Sequence, residues 1–530
     1  MASTFGLIGT LAPTPGFAVS LTSRDVGTSV GEAGIDALRL HEEPYNLLGR
    51  KIAIGQVEIG RPAKFGLDKD TPPDRGTAPT GVFFRNSRAQ SDTNLDGHAQ
   101  NVAGVMISEA KAAPGVAPEA RLYSAGAALD MGTNRQAQEC LTTQHVALQN
   151  GNDVRAINFS FGEPLSLDPR PEAQLDGNAL LTLCVDWSAR VHNVLYSIAG
   201  NQGTGGIPIP TDNFNGVNVA FSRIQDGVFS YVDVSNLGSV FTGADSRLVG
   251  LETNIDGRRL VSLLAPGRNV DLLNQDGSVS QNTGTSFASP HVVATVALLQ
   301  EYGDRQLSAA QPNWSPDARR HEVMKAVLLN AADKVQDGGN GLRQGMTRTI
   351  IDKSGKNWLE SDAFQDPEIP LNGDMGTGHL NAFRAYQQFS PGQWKPTDPV
   401  PTIGWNYGEV TATEYRDYII EAPLKQGSFV AATLAWDRIV DLEDTNQNGE
   451  YDEGETFRDR GLNDLNLYLM PADEDDPTNS IWSSTSSVDS VEHIFHPIPA
   501  TGRYKIRVEY RRQVNEPTQP YALAWWTVPE

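Results

Sequence analysis

Cysteine is nearly absent from this chain, since only Cys140 and Cys184 occur among its 530 residues. Two cysteines cannot supply the several cross-links of a disulfide scaffold, so the fold depends on a buried apolar core. The pair is compatible with one bridge or with two buried free thiols. Neither cysteine has the spacing of a metal site or of a nucleophilic motif.

Long apolar runs and an excess of positive charge are also missing. No apolar stretch reaches the roughly 18 to 20 residues that a membrane-spanning helix needs. The 65 acidic residues outnumber the 42 basic ones and give a formal net charge of −23. Nucleic acid is therefore not expected as a partner, because its phosphates would be repelled. The first 20 residues lack the basic region of a secretory signal, which leaves the cellular location open.

The region from residue 46 to 389 alternates short apolar runs with helical patterns. The runs include KIAIGQVEI and VRAINFSF, and Val102, Val105 and Met106 share one face of a helix. This alternation predicts an α/β fold with a mainly parallel central sheet and helices on both faces. Residues 1–45 are rich in Gly, Ser and Thr and are predicted to form an N-terminal extension that packs on the surface or stays mobile.

The pattern changes after a linker at residues 390–402, where four prolines interrupt helix and strand hydrogen bonding. Residues 403–530 contain strand-like runs such as SFVAATLAWD and YKIRVEY, and the second alternates apolar and charged residues at period two. Helical patterns are lacking between these runs. The sequence therefore predicts a second, all-β domain, an antiparallel sandwich or jelly roll.

A serine occupies a glycine-flanked turn at the start of an apolar-faced helix. The string runs from Gly284 to His291, GTSFASPH, with Ser286 as its third residue. A helix amino terminus offers unpaired N–H groups and a positive dipole end, which suits the oxyanion formed during acyl transfer. Taken alone, a serine in this position is more often only a helix N-cap.

The string resembles the G-T-S-x-A-x-P-H signature of the subtilisin-like serine peptidase family, whose serine is the nucleophile. A second segment, GHAQNVAG at residues 97–104, is similar to the histidine block of that family and places His98 at the general base. The block departs from the family pattern at Ala99, Gln100 and Asn101. The resemblance implies a subtilisin-like fold and hydrolysis of peptide bonds in proteins or peptides.

Two further segments, INFSFG and AGNQG, resemble parts of the family's substrate cleft. The resemblance makes the first segment one wall of the specificity pocket. It also assigns the side-chain amide of Asn201, in the second segment, to the oxyanion hole. The residues that would contact substrate through their backbone are Ser160, Phe161, Gly162, Ala199 and Gly200.

The acidic member of the triad is where the chain departs most from the family. The family has an aspartate at the end of its first core strand, and this chain has IGQVEIG there. Aligning Gly49 and Gly60 with the family's flanking glycines places Glu58 at that position, whereas a shift by two places Gln56 there. Both side chains point to the same face of a strand. Glu58 is favoured because the base needs a carboxylate acceptor, and an amide can fix the wrong tautomer.

A calcium loop is predicted in the β region. The segment DTNQNGEYDEGE fits the spacing D-x-N-x-N-G-x-x-D-x-x-E, with Gly449 at the sharp turn. The alternative is a solvated acidic loop. Residues 463–467 and 487–492 resemble the jelly-roll domain that some subtilisin-like proteases carry. The predicted Ca²⁺ ligands are Asp444, Asn446, Asn448, the carbonyl of Glu450, Asp452 (directly or through water) and Glu455.

The sequence as a whole favours a serine endopeptidase with a Glu58, His98, Ser286 triad that acts through an acyl-enzyme. Two alternatives on the same fold are kept, a catalytically impaired pseudoprotease that serves as a binding module and a transpeptidase. Glu58 and the altered residues after His98 motivate the first alternative. The stretch before the core looks too short for the folded prodomain usual in secreted members. The route of activation, the substrate specificity and the oligomeric state are left open.

Overall fold

A computed structural model describes residues 28–69, 76–127, 135–201, 207–236 and 254–530. In the described residues, none of the helices combines the length and apolarity that crossing a bilayer would require. The helices are α1 (Leu38–His41), α2 (Gly97–Ile107), α3 (Arg135–Ala147), α4 (Gln149–Asn152), α5 (Leu180–His192), α6 (Thr285–Ser308), α7 (His321–Ala331), α8 (Asp362–Gln365) and α9 (Ala382–Phe389).

The first part of the chain builds a central sheet whose strand order is β3-β2-β4-β1-β5-β6-β7-β8, with β9 also paired to β7. Strands β2, β4, β1, β5, β6, β7 and β9 pair in parallel, while β3 and β8 pair antiparallel at the two edges. The strands are β1 (Ala53–Glu58), β2 (Gly81–Phe84), β3 (Ser87–Arg88), β4 (Arg121–Gly126), β5 (Val154–Phe159), β6 (Leu195–Ala199), β7 (Val217–Gln225), β8 (Val228–Val232) and β9 (Leu263–Pro266), with a separate hairpin of β10 (Val270–Leu273) and β11 (Val279–Asn282).

The central strands are apolar throughout because helices cover both faces of the sheet. Every residue of β1 and β5 is buried, as expected for parallel strands with two covered faces. Helix α6 packs on β5, β6 and β7, while α3 packs on β1 and β4. The predicted α/β class with a mainly parallel sheet is confirmed.

The described part of the predicted N-terminal extension contributes to the core. Val30, Ile35 and Leu40 are buried within the main apolar cluster. The Ser29 hydroxyl lies 2.8 Å from Nε2 of the buried His291 on α6. Residues 1–27 lie outside the described residues. The boundary predicted at residue 45 thus cuts a buried stretch, and the division into domains stays a prediction.

The C-terminal part forms two four-stranded antiparallel sheets, β12-β21-β14-β19 and β13-β20-β17-β18, and a hairpin of β15 and β16. Apolar side chains from both sheets form one cluster, so the sheets pack face to face. The predicted antiparallel β-region is confirmed. The strands are β12 (Ile403–Thr411), β13 (Tyr415–Ile419), β14 (Phe429–Ala435), β15 (Val440–Glu443), β16 (Thr456–Asp459), β17 (Asp464–Pro471), β18 (Trp482–Ser484), β19 (Val491–Pro497), β20 (Tyr504–Arg512) and β21 (Thr518–Trp526).

The first of these sheets is covered on both faces. On β14, Val430 and Leu434 face the cluster between the two sheets, whereas Ala435 belongs to the main core of the α/β region. Helix α7 packs against β14 and β21. This explains why every residue of β14 is buried and why its sequence does not alternate.

A disulfide joins Cys140 on α3 to Cys184 on α5, which decides between the two alternatives left open by the sequence. Both cysteines are fully buried beside Trp187, Val440 and Tyr451. The last two residues belong to the β15–β16 hairpin and the loop it carries. The disulfide therefore lies where the C-terminal region contacts α3 and α5.

Candidate active site

Three parallel strands and two helices meet at one edge of the central sheet. Strand β1 ends at Glu58, β5 ends just before Ser160, and β6 ends just before Gly200. Helix α2 begins at Gly97 and α6 at Thr285, and the two helices pack together. Because the carboxyl ends of parallel strands share one edge, residues distant in sequence are brought together there.

Glu58 and His98 form a pair at this edge. Oε2 of Glu58 lies 3.3 Å from Nδ1 of His98, and the side chain of Glu58 is 1% exposed while that of His98 is 38% exposed. Gln56, on the same face of β1, does not share this arrangement, because its Nε2 donates to the carbonyl of Ala99 at 2.9 Å. The structure therefore places Glu58 beside His98 and uses Gln56 to tie β1 to α2.

The environment of His98 shifts its protonation. Burial lowers the pKa of His98, but the Glu58 carboxylate, by its charge and by a hydrogen bond, and the charge of Asp96 outweigh this, so the pKa lies above its ordinary value. Asp96 itself caps α2, since its Oδ1 accepts the N–H of Ala99 at 2.9 Å. The imidazole is thus held on its Nδ1 side by a buried carboxylate.

Ser286 occupies the first turn of α6. The N-cap is Gly284 and makes no side-chain cap, so the Ser286 hydroxyl is not used to cap the helix. That hydroxyl donates to the carbonyl of Ser160 at 3.2 Å, and Ser160 Oγ donates to the carbonyl of Ser286 at 2.8 Å. Phe287 packs against the His98 ring, with 5.5 Å between the ring centres. Ser286 therefore directly precedes a residue that contacts the His98 ring.

Asn201 follows β6 at the same edge. Its Oδ1 accepts the N–H of Ile207 at 3.0 Å, which orients the amide. Its Nδ2 is buried and has no hydrogen-bond partner among the residues that the structure describes. A buried, oriented donor without a partner is costly unless a ligand uses it. Gln202 and Gly203, which continue the predicted motif, lie outside the described residues.

The predicted substrate wall follows β5. Ser160 and Phe161 are buried, and Phe161 stacks on Phe159 with 5.2 Å between ring centres. At Gly162 an added Cβ would lie 2.4 Å from the carbonyl oxygen of Ile207, so only glycine fits this close approach of two backbones. On the other side, an added Cβ at Gly200 would lie 2.9 Å from the carbonyl oxygen of Val219. Ala199, the last residue of β6, is half-buried beside it.

The predicted calcium loop connects β15 to β16. Asp444 accepts the N–H groups of Gln447 and Gly449 at 2.6 and 2.7 Å, and Glu455 accepts the N–H of Thr445 at 2.7 Å. The Gly449 N–H and other loop N–H groups hold the pKa of Asp444 below its ordinary value. The N–H groups of Asp452 and Thr445 do the same for the pKa of Glu455. Both carboxylates are therefore charged and turned into the loop.

The middle of this loop is also tied together by its predicted ligands. Asn446 and Asn448 both donate through their amides to Oδ2 of Asp452, at 2.6 and 2.8 Å. Gly449 has φ +80°, which gives the sharp turn that the spacing predicts. The carbonyl of Glu450 belongs to the same turn. The predicted metal-ligand atoms of this loop are all oxygens, which suits a hard cation such as Ca²⁺.

One group of three candidate metal ligands was missed by the sequence reasoning. In the described part of the chain, His321, Glu322 and Asp437 are the one such set gathered within 4.8 Å, whereas the loop carboxylates are farther apart. Nε2 of His321 lies 3.0 Å from Asp437 and Nδ1 lies 3.2 Å from Glu322. Burial lowers the pKa of His321, but the two carboxylates raise it above its ordinary value. Both ring nitrogens of His321 already have carboxylate partners within 3.2 Å, so the contacts of this histidine are accounted for without a metal.

Comparison with known proteins shows which family this chain is similar to. The sequence model of the Subtilase family matches residues 75–347, a span that contains His98, Asn201 and Ser286 and begins after Glu58. Subtilisin from Bacillus sp. (strain TA39) is 27% identical over 226 residues, covering 41% of this chain and 49% of that protein. Subtilisin E from Bacillus subtilis (strain 168) is 27% identical over 274 residues, covering 51% of this chain and 60% of that protein. The chain thus spans about half of the length of these curated relatives.

Among solved structures, a cold adapted subtilisin-like serine proteinase matches with a TM-score of 0.36 and 17% identity, over 58% of this chain and 92% of that chain. The prenylagaramide maturation protease PagA matches with a TM-score of 0.40 and 18% identity, over 64% of this chain and 93% of that chain. The family match covers more than half of the chain and includes the GTSFASPH string. The chain belongs to the Subtilase family.

Proposed function

We propose that this protein is a serine endopeptidase with Ser286 as nucleophile and His98 as general base. The observation that carries the proposal is the buried Glu58 carboxylate 3.3 Å from Nδ1 of His98, at the edge where α6 presents Ser286. A carboxylate on Nδ1 fixes the tautomer in which Nε2 accepts a proton, and it stabilises the imidazolium that results.

The reaction proceeds by acyl transfer. The Ser286 hydroxyl turns from the Ser160 carbonyl towards His98, transfers its proton to the imidazole and attacks the peptide carbonyl. Triad contacts are often long in unliganded enzymes and tighten when substrate binds. The imidazolium then protonates the leaving amine, and water hydrolyses the acyl-enzyme with His98 again acting as base.

The negative charge that develops on the carbonyl oxygen needs donors in fixed positions. The donors that we assign to it are the N–H of Ser286 at the α6 terminus and the Nδ2 of Asn201, which has no partner among the described residues. The walls on either side are the backbone at Ser160 to Gly162 and at Ala199 and Gly200. A peptide chain laid along these strand ends would be held mainly by backbone hydrogen bonds.

A fluorophosphonate probe tests this function. We expect stoichiometric labelling of Ser286, located by peptide mass analysis, and no labelling or proteolysis in Ser286→Ala. Ser308→Ala, an exposed serine at the other end of the same helix, is the matched control and should behave as the parent. A parent protein that the probe does not label would favour the pseudoprotease. If labelling occurs, product masses distinguish hydrolysis from transfer to an added amine.

We also propose that the loop from Asp444 to Glu455 holds one Ca²⁺ ion that stabilises the fold. Calcium bound only to the folded state raises the melting temperature by mass action. Asp444→Ala with Glu455→Ala should abolish most of the shift seen between calcium and chelator. Asp398→Ala with Glu409→Ala removes the same charge from two exposed sites and should keep the shift. Equal calcium shifts in both double variants would mean that the ion binds elsewhere.

A further inference from the structure

Arg438 follows strand β14 of the C-terminal region, yet its side chain is buried inside the α/β region. Its Nε donates to Oδ2 of Asp186 on α5 at 3.0 Å, and its Nη2 donates to the same oxygen and to the carbonyl of Gly177. The two side chains of the ion pair are 2% and 0% exposed. Neither charge can be left unpaired at this depth without a large loss of stability.

The backbone of Arg438 is held as firmly as its side chain. Asn215 accepts its N–H at 2.8 Å through Oδ1 and donates to its carbonyl at 3.0 Å through Nδ2. Oδ1 of Asp186 in turn accepts the N–H groups of Phe214 and Asn215 at 3.0 and 2.8 Å. The Arg438 guanidinium also lies 4.3 Å from the centre of the Phe214 ring. Arg438 and Asp186 together fix residues 214 and 215.

The segment from residue 209 to 215, which contains Phe214 and Asn215, pairs at its first residue with the end of the substrate wall. Ile209 and Glu163 exchange two backbone hydrogen bonds of 2.8 and 3.1 Å. Glu163 directly follows Gly162, where an added Cβ would lie 2.8 Å from the carbonyl oxygen of Ile209. The wall and the segment from residue 209 to 215 are therefore packed backbone to backbone, and a shift of one displaces the other.

We propose that Arg438 is a positioning residue for peptide binding, which acts through the segment 209–215 on the wall formed by Ser160, Phe161 and Gly162. The proposal rests on the peptidase function proposed above and deepens it, because it makes the C-terminal region a part of the substrate-binding apparatus. Arg438 contacts neither His98 nor Ser286 in the described contacts. It should therefore affect how a peptide is held more than how Ser286 reacts.

Arg438→Lys tests the proposal, because lysine keeps the charge but lacks the planar group that bonds two acceptors at once. Arg507→Lys is the control, since the buried Arg507 also bonds two acceptors at once, the oxygens of the half-buried Asp417 at 2.7 and 2.8 Å, in the sheet β13-β20-β17-β18. Asn215→Ala is a second variant, which removes the two hydrogen bonds to the Arg438 backbone and changes no charged side chain. Each is assayed for KM and kcat on a peptide and for the rate at which a small fluorophosphonate labels Ser286.

We expect KM to rise between about twofold and thirtyfold in Arg438→Lys and Asn215→Ala, with kcat and the labelling rate within about twofold of the parent. Arg507→Lys should leave all three unchanged. An unchanged KM in Arg438→Lys overturns the proposal, and so does a labelling rate that falls together with the affinity. If Arg438→Lys does not fold, Asn215→Ala decides on the same criteria. A parent that is not labelled at all refutes the proposed function itself, which is a separate outcome.

Discussion

Glu58 is one methylene longer than the aspartate that the family resemblance leads us to expect, and its carboxylate lies 3.3 Å from Nδ1 of His98. Replacing Glu58 by Gln keeps the shape of the side chain and removes its charge. We expect turnover to fall about a thousandfold with little change in KM, because an amide can hold the wrong tautomer and cannot stabilise the imidazolium. Steady-state kinetics on a peptide substrate measure both constants.

Gln56 provides the matched control for that prediction. Its amide donates to the Ala99 carbonyl at 2.9 Å within the core. Gln56→Ala should lower the free energy of unfolding by about 1 kcal/mol through the lost hydrogen bond, while kcat stays close to that of the parent. If Gln56→Ala lost more activity than Glu58→Gln, the assigned register of β1 would be wrong.

The raised pKa of His98 predicts the pH dependence of the reaction. His98 must be neutral to accept the serine proton, so kcat/KM should fall as the pH drops through a pKa that lies above the ordinary value of 6.5. In Glu58→Gln the lost charge leaves burial to dominate, and the acid limb should move to lower pH. NMR titration of His98 in Ser286→Ala measures the same pKa without turnover. An acid limb that does not move in Glu58→Gln would contradict the pairing.

At the scale of elements, the disulfide between α3 and α5 closes a loop with a sequence separation of 44 residues. Its main effect is to restrict the unfolded chain, for which a loop of this length gives about 4 kcal/mol. Cys140→Ala with Cys184→Ala should lower the free energy of unfolding in urea by about that amount. The parent protein, unfolded without reductant, should show no free thiol. Two free thiols under those conditions would refute the bridge.

The hairpin of β15 and β16 is the element that connects the disulfide with the proposed calcium loop. Oε1 of Gln144 on α3 accepts the N–H of Tyr451 at 2.5 Å, and Nε2 of Gln144 donates to its carbonyl at 3.2 Å. Arg190 on α5 donates to the carbonyl of Val440 at 2.7 Å. An ion bound in the loop would thus stabilise a segment that is already docked on α3 and α5.

At the scale of the whole molecule, the two regions share one core. Ala435, Ala522 and Ala524 lie in the same apolar cluster as α6 and α7. A chain ending at residue 402 would lose these contacts and would leave Asp186 and His321 without their buried partners. Each broken buried pair costs about 3 to 5 kcal/mol, and net stabilities are only about 5 to 15 kcal/mol. We expect the truncated chain to lack a cooperative thermal transition and to react poorly with fluorophosphonate.

Calorimetry and labelling of the truncated chain measure this directly. A truncated protein with the parent's melting temperature and labelling rate would mean that the C-terminal region is an independent appendage. The proline-rich linker that the sequence predicts at residues 390–402 suggested such independence. In the structure, however, the β14 and β21 strands beyond it pack on α7.

The sequence by itself determined the family and the α/β class, and it supplied the candidate nucleophile Ser286, because these depend on local patterns. Periodicity reports which face of a strand or helix is apolar, and a helix start carries its own glycine and proline signals. The GTSFASPH string, the end of the first core strand at Glu58 and the AGNQG segment that contains Asn201 were therefore readable. The spacing that predicts a calcium loop was readable for the same reason, since all of the predicted ligands lie in the one segment from Asp444 to Glu455.

Only the tertiary structure decided which groups become partners across the chain. The chemistry of a triad favours Glu58 over Gln56 in the sequence, but only the packing of α2 against β1 brings the Glu58 carboxylate, and not the Gln56 amide, beside His98. The Cys140–Cys184 bridge and the pairing of Arg438 with Asp186 join residues 44 and 252 positions apart. Such contacts form when separate elements pack against each other. Burial then makes an ion pair or an amide hydrogen bond costly to break, whereas the same group in water contributes little to stability. Arg438 carries no sequence signal, and its role follows from that packing alone.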